Sequence, residues 1–324
     1  MLYQVKAGII GLDKLGMIYA GLIKDHVKDL SLIAAAGRTQ KELLYAKNDL
    51  SLEYVYGDEK ALLENHDVDA LFVFSEARFK ANLAIQAIDA GKHVFLVNPI
   101  ALNLDDAVAV QKTAASHPSQ TVMCASPVKS FPILLKLKSF IDSGQLGKIH
   151  FIHTDSSFFQ SMKKEYASSS GSRYLDKLLD ELELFNWIYD GELSEALVET
   201  SGNMKICKLR SDTRDVCQIM FDQDSQKKQG VLIIYGEMGQ IVLSSERPYG
   251  FSFYSRDGKK QSIELETKLM FSYPEYLQMH HFTQSILGKE KNSLKTNLAV
   301  DAVRLALAFE KSDVLNTSVD LRTS

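Results

Sequence analysis

Through its first 120 residues the chain alternates short, unbroken apolar runs with segments whose apolar positions recur every three or four residues. Val5–Gly11, Leu32–Ala36, Ala70–Phe74, Val94–Val97 and Thr121–Cys124 have the form of strands covered on both faces. Between them Leu15–Lys24, Gln40–Lys47, Phe79–Ala90 and Leu104–Ala115 carry the helical period. Strand–helix alternation at this spacing predicts a parallel sheet with helices on both sides, a doubly wound nucleotide-binding type of fold.

Beyond about residue 123 the pattern changes. Helices are predicted over Pro132–Ser143 and Ser172–Asp190, then strands over Ala196–Cys207, Val216–Asp222, Val231–Tyr235, Ile241–Ser244, Phe251–Ser255 and Ser262–Thr267. Turns such as Gly236-Glu237-Met238-Gly239 and Arg256-Asp257-Gly258 separate several of these runs, as in an antiparallel meander. Helices near Pro274–Leu287 and Asn297–Lys311 close the chain, the last expected to pack back on the first half. No internal repeat is visible, and the serine-rich patch Ser168–Ser172 reads as a loop. The domain division expected is 1–122 and 123–324.

Composition narrows the function classes. A net charge of −4 with 24% charged residues argues against nucleic acid, which calls for a basic face. The longest apolar runs are about five residues, against the roughly 18 needed to cross a bilayer, and no signal region precedes the first strand. Cys124, Cys207 and Cys217 form no CxxC pair, which fits buried thiols in a reducing cytoplasm. His150 and His153 fall on opposite faces of a strand, and His280 and His281 diverge on a helix, so no metal site is expected.

Two segments suggest cofactor chemistry. Gly11-Leu12-Asp13-Lys14-Leu15-Gly16 follows the first strand and opens a helix, the place of a dinucleotide fingerprint, but Asp13 stands where the central glycine would let the backbone approach a pyrophosphate. The alternative is a tight turn with no ligand. After the second strand comes Gly37-Arg38 rather than an acidic residue, an arrangement suited to a ribose 2′-phosphate; a solvated arginine is the plain alternative.

Val68-Asp69-Ala70-Leu71-Phe72-Val73, the run Ala87–Ala101 through Val97-Asn98-Pro99, Ile141-Asp142-Ser143-Gly144-Gln145-Leu146-Gly147, and Leu175-Asp176 through Trp187 together resemble the Gfo/Idh/MocA oxidoreductases over essentially the whole chain. The resemblance implies an N-terminal Rossmann domain and a C-terminal α/β domain with a large, mostly antiparallel open sheet that supports dimers or tetramers. It also implies hydride exchange between a nicotinamide cofactor, NADP or NAD, and a sugar, cyclitol or related polyol. Cofactor contacts are implied at Gly11, Leu12, Asp13, Leu15, Gly16, Arg38, Ser75 and Pro99, and substrate contacts at Lys129, Asp176 and Asp180.

The family's Glu-Lys-Pro lysine and its helix histidine are replaced here by Asn98 and Asp180. Asparagine donates a hydrogen bond without a charge, and an ordinary aspartate is a poor acid at neutral pH. Asp176, Asp180 and Glu183 share one helical stripe, where crowding raises one carboxyl and would restore an acid–base group. The plain alternative is a solvated acidic face opposite Tyr174, Leu178, Leu182 and Phe185, a reading that leaves Trp187 exposed. Arg78 and Lys80 would either face a ligand or stand exposed at a helix start. The leading expectation is therefore an oxidoreductase with Asn98, Asp176 and Asp180 as catalytic groups and a degenerate site. The second is a non-catalytic sensor or partner subunit on the same fold.

Overall fold

A computed structural model describes residues 4–126, 128–155, 157–162, 172–222, 229–266, 274–294 and 296–322. The chain divides into two compact units, Met1–Pro127 with Tyr273–Val300, and Val128–Ser272 with Asp301–Ser324.

The first unit is a Rossmann fold. Strands β1 (Val5–Ile10), β2 (Leu30–Ala36), β3 (Tyr54–Tyr56), β4 (Ala70–Val73), β5 (His93–Val97) and β6 (Val122–Ala125) form a parallel sheet in the order β3-β2-β1-β4-β5-β6. Helices α1 (Lys14–His26), α2 (Gln40–Leu44), α3 (Glu59–Leu63), α4 (Ala77–Asp89) and α5 (Leu104–Ser116) connect the strands. Phe72 and Phe95 pack edge-on against Phe282 of α9 (Pro274–Ile286), part of a core that also holds Ile9, Leu12 and Tyr19. The order reverses between β1 and β4, so a crevice opens at their carboxyl ends, where folds of this type take ligands.

The second unit is built on α6 (Pro132–Asp142), β7 (Ile149–Asp155), α7 (Ser157–Met162), α8 (Arg173–Ile188), β8 (Leu193–Ser201), β9 (Met204–Ser211), β10 (Val216–Asp222), β11 (Val231–Gly236), β12 (Gly239–Ser244), β13 (Gly250–Ser255), β14 (Lys260–Glu264), α10 (Asn297–Leu315) and β15 (Val319–Asp320). α10 begins four residues before the second stretch of this unit, which starts at Asp301. The sheet runs β14-β13-β12-β11-β7-β10-β9-β8-β15. It is antiparallel except where β7 and β10 run parallel. One face is buried through Ile152, Leu209, Cys217, Ile219, Leu232, Ile234 and Ile241; the alternate positions Phe151, Ile233 and Val242 are half-buried and Tyr235 is exposed.

Ala196–Cys207, one strand in the sequence reading, is a hairpin: β8 and β9 pair antiparallel about Gly202, whose φ of 59° makes the turn. Tyr54–Tyr56 and Glu59–Leu63 had no counterpart there, being too short to show a period. Thr267 and most of the serine-rich patch lie outside the described residues. Among the described residues no helix is long and apolar enough to cross a membrane, and no group of three or more metal-binding side chains gathers.

Candidate functional site

At the crevice of the first unit the backbone closes tightly around the turn after β1. Gly11 has φ 86°, and a Cβ there would lie 2.9 Å from the carbonyl oxygen of Phe74; a Cβ on Gly16 would lie 2.2 Å from that of Gly11. Only glycine fits either position. The Leu12 side chain is in the core and Leu15 packs against it, so these two offer a ligand their backbone. Beside Gly11, Ser75 Oγ is buried with no hydrogen-bond partner among the described residues.

Asp13 is the N-cap of α1. Its Oδ1 accepts from the backbone N–H of Leu15 at 3.1 Å and of Gly16 at 2.9 Å. Helix N-terminal donors are where a pyrophosphate would dock, so the chain's own carboxylate already holds them. The crevice thus fits a dinucleotide by backbone shape and by the orphaned Ser75 hydroxyl, with Asp13 competing for the phosphate.

The loop after β2 repeats this arrangement. Glu42 Oε2 accepts from the N–H of Arg38 at 2.9 Å and of Thr39 at 2.8 Å, while Thr39 caps α2 in return. Burial would raise the Glu42 carboxyl, but these N–H groups and that of Leu12 more than offset it and hold it below its ordinary value. Arg38 donates through Nε to Glu59 Oε1 at 2.8 Å, and its guanidinium lies 4.8 Å from the centroid of Phe79, a ring that Arg78 also covers at 4.5 Å. Arg38 is exposed and ion-paired with Glu59.

Asn98 follows β5, half-buried, and Cys124 of β6 donates its Sγ–H to Asn98 Oδ1 at 3.1 Å. That bond engages the amide oxygen. Lys80, expected either toward ligand or exposed, is 1% exposed. Its ammonium donates to the carbonyls of Val97 at 2.8 Å and Pro99 at 3.0 Å. Burial pulls the ammonium down to about 8, opposed by Cys124 and Asp13. The legible signal was a lysine within α4's apolar stripe of Ala77, Ala81, Ala84 and Ile88.

In the second unit α8 carries the acidic stripe, of which Glu183 is buried and Asp180 half-buried. Glu181 is also buried, and Trp187 is half-buried. The Asp176 side chain lies outside the described residues. The Lys129 ammonium sits 5.8 Å from the centroid of Trp187; burial lowers its pKa and the nearby Glu183 carboxylate partly restores it. Lys129 and Trp187 thus form a half-buried cation–indole pair with the buried Glu183 carboxylate nearby.

Residues 5–125 match the model of an oxidoreductase family, GFO_IDH_MocA, with an NAD-binding Rossmann fold. The chain is 22% identical to an uncharacterized oxidoreductase of Bacillus subtilis, YrbE, over 96% of this chain and 95% of that one. It is 27% identical to the myo-inositol 2-dehydrogenase of Thermotoga maritima over 61% of this chain and 58% of that one. Among solved structures, the scyllo-inositol dehydrogenase of Lactobacillus casei with NAD(H) and scyllo-inositol superposes with a TM-score of 0.79, covering 98% of this chain and 99% of that one at 20% identity. At that identity the likeness establishes the fold.

Proposed function

The chain belongs to the Gfo/Idh/MocA oxidoreductase family, and from that premise we propose that it is an NAD(P)-dependent oxidoreductase acting on a hydroxyl of a sugar, cyclitol or related polyol. The observation that carries this reading is the tight turn at Gly11, where only glycine fits, with the Ser75 hydroxyl buried beside it and without a partner among the described residues. Gly11, Asp13, Gly16, Arg38, Ser75 and Pro99 would hold the dinucleotide, with Leu12 and Leu15 contributing backbone. Bound there, the nicotinamide supplies the hydride acceptor or donor.

The chain's own residues then have these roles. Asn98 donates its N–H2 to the reacting oxygen, a hydrogen bond without the charge of a lysine. Asp176 and Asp180 bind hydroxyl groups and take up the proton that leaves as an alcohol is oxidised; Lys129 and Trp187 hold the ring. An uncharged donor stabilises a developing alkoxide less than a cation does, so slow turnover is expected. The half-open apolar sheet face of Ile233, Tyr235 and Val242 is read as the contact between copies in a homodimer or homotetramer, and the cytoplasm as its place.

The second reading, a sensor or partner subunit that binds without turnover, is favoured by Asp13 on the α1 donors and by Asn98. The test is titration calorimetry with NADH and NADPH, followed by oxidation assays across a polyol panel. Binding with turnover supports the enzyme, binding without turnover supports the sensor, and no heat with either dinucleotide overturns the oxidoreductase reading.

A further inference from the structure

Lys80 is an expensive residue to bury, because an ammonium taken out of water loses its hydration and regains it only through well-placed acceptors. It has two, the carbonyls of Val97 and Pro99, and they belong to the residues on either side of Asn98. On the other side of Asn98, the Cys124 thiol fixes the amide oxygen. The asparagine is therefore clamped from the main chain and from the side chain, and the clamp on the main chain carries a positive charge. The charge stands next to the very position at which the family keeps its lysine.

We propose that Lys80 is a positioning residue that returns to this site, from α4, the positive charge that Asn98 leaves out, holding the Asn98 amide through its two flanking carbonyls and setting the potential felt by a group bound there. The inference rests on the oxidoreductase reading. Lys80 does not touch the reacting atoms; it acts through Asn98 and through its field. A cation fixed there favours the neutral reduced nicotinamide over the positively charged oxidised ring, and it favours negative charge developing on a substrate oxygen. The titratable groups facing it are Asp13, from the turn before α1, and Cys124 on β6, both of which support its charge.

Binding measurements test this without any turnover. Calorimetry would give the Kd of NADH and of NAD⁺ at pH 7 and pH 9 for the wild type, Lys80→Met and, as a control at the other end of the sheet, Lys92→Met. In the wild type and in Lys92→Met the preference for NADH over NAD⁺ should shrink about fivefold as Lys80 loses its proton; in Lys80→Met it should start small and stay flat. A wild-type preference that ignores pH overturns the inference with no variant needed. A Lys80→Met protein that keeps the wild-type response also overturns it and leaves Lys80 a strut. A wild type that binds neither dinucleotide overturns the oxidoreductase reading, and this inference falls with it.

Discussion

Two lysines make the same bonds at opposite ends of one sheet. Lys92, 6% exposed before β5, donates to the carbonyls of Asn65 at 2.7 Å and Val68 at 2.8 Å; Lys80 does likewise to Val97 and Pro99. Burial lowers the pKa of both. The difference is in what surrounds them. Lys92 ties the turn leading into β4 to the start of β5 at the amino end, with Asp69 as its charged neighbour. Lys80 stands at the carboxyl end, between Asp13 on the α1 cap and Cys124 bonded to Asn98. The same device is a strut where the sheet meets turns, and a source of field where the sheet opens to a ligand.

The strongest test of that contrast is Asn98→Lys, which restores the family residue but sets a second ammonium against Lys80. A loss of about 2–4 kcal/mol in urea unfolding is expected, recovered by Lys80→Met and not by Lys92→Met. Recovery by both would erase the distinction.

Next comes pH. Lys80 titrates at about 8 in the folded chain against 10.5 ordinarily, so the folded state binds fewer protons between those values. Stability therefore rises with pH across that window, and the cost of the buried ammonium is full below about 8. Lys80→Met should lose this rise, on the order of 2 kcal/mol in urea midpoints at pH 7.5, 9 and 10, and Lys92→Met a rise of the same sign.

Asp13→Gly should weaken a helix cap by only about 0.3 kcal/mol, since glycine is itself tolerated there, while tightening NADH binding about tenfold, more at low salt. Unchanged calorimetric affinity would mean that the α1 donors are not the phosphate site. The smallest effect concerns Arg38: Glu59→Gln should release its guanidinium and raise NADPH affinity about threefold relative to NADH, and Arg38→Ala should reverse that gain. Equal changes for both cofactors would remove the preference for a 2′-phosphate.

The parallel sheet was legible because strands buried on both faces read as continuous apolar runs, and their ends came within two residues of those observed. β3 and α3 were not, since three half-buried residues and five helical ones show no period. At the site, the glycines and Asn98 could be placed by their positions after strands, but their partners could not. Cys124 reaches Asn98 only through the β5–β6 register, Leu96 against Cys124, and Glu59 reaches Arg38 from a helix 21 residues on. On α8 the spacing could group Asp176, Asp180 and Glu183 but could not show how far each is covered: Glu183 is buried and Asp180 half-buried, a difference set by packing against other elements.

Trp187 is the chain's one tryptophan, and the Lys129 ammonium lies over its ring. The intrinsic ultraviolet emission of the whole chain is therefore a local signal from a single half-buried indole under a cation. A small molecule that draws Lys129 away from the ring will change the brightness and wavelength of that emission. The second unit thus carries an optical reporter of its own cation–indole pair, readable without a label.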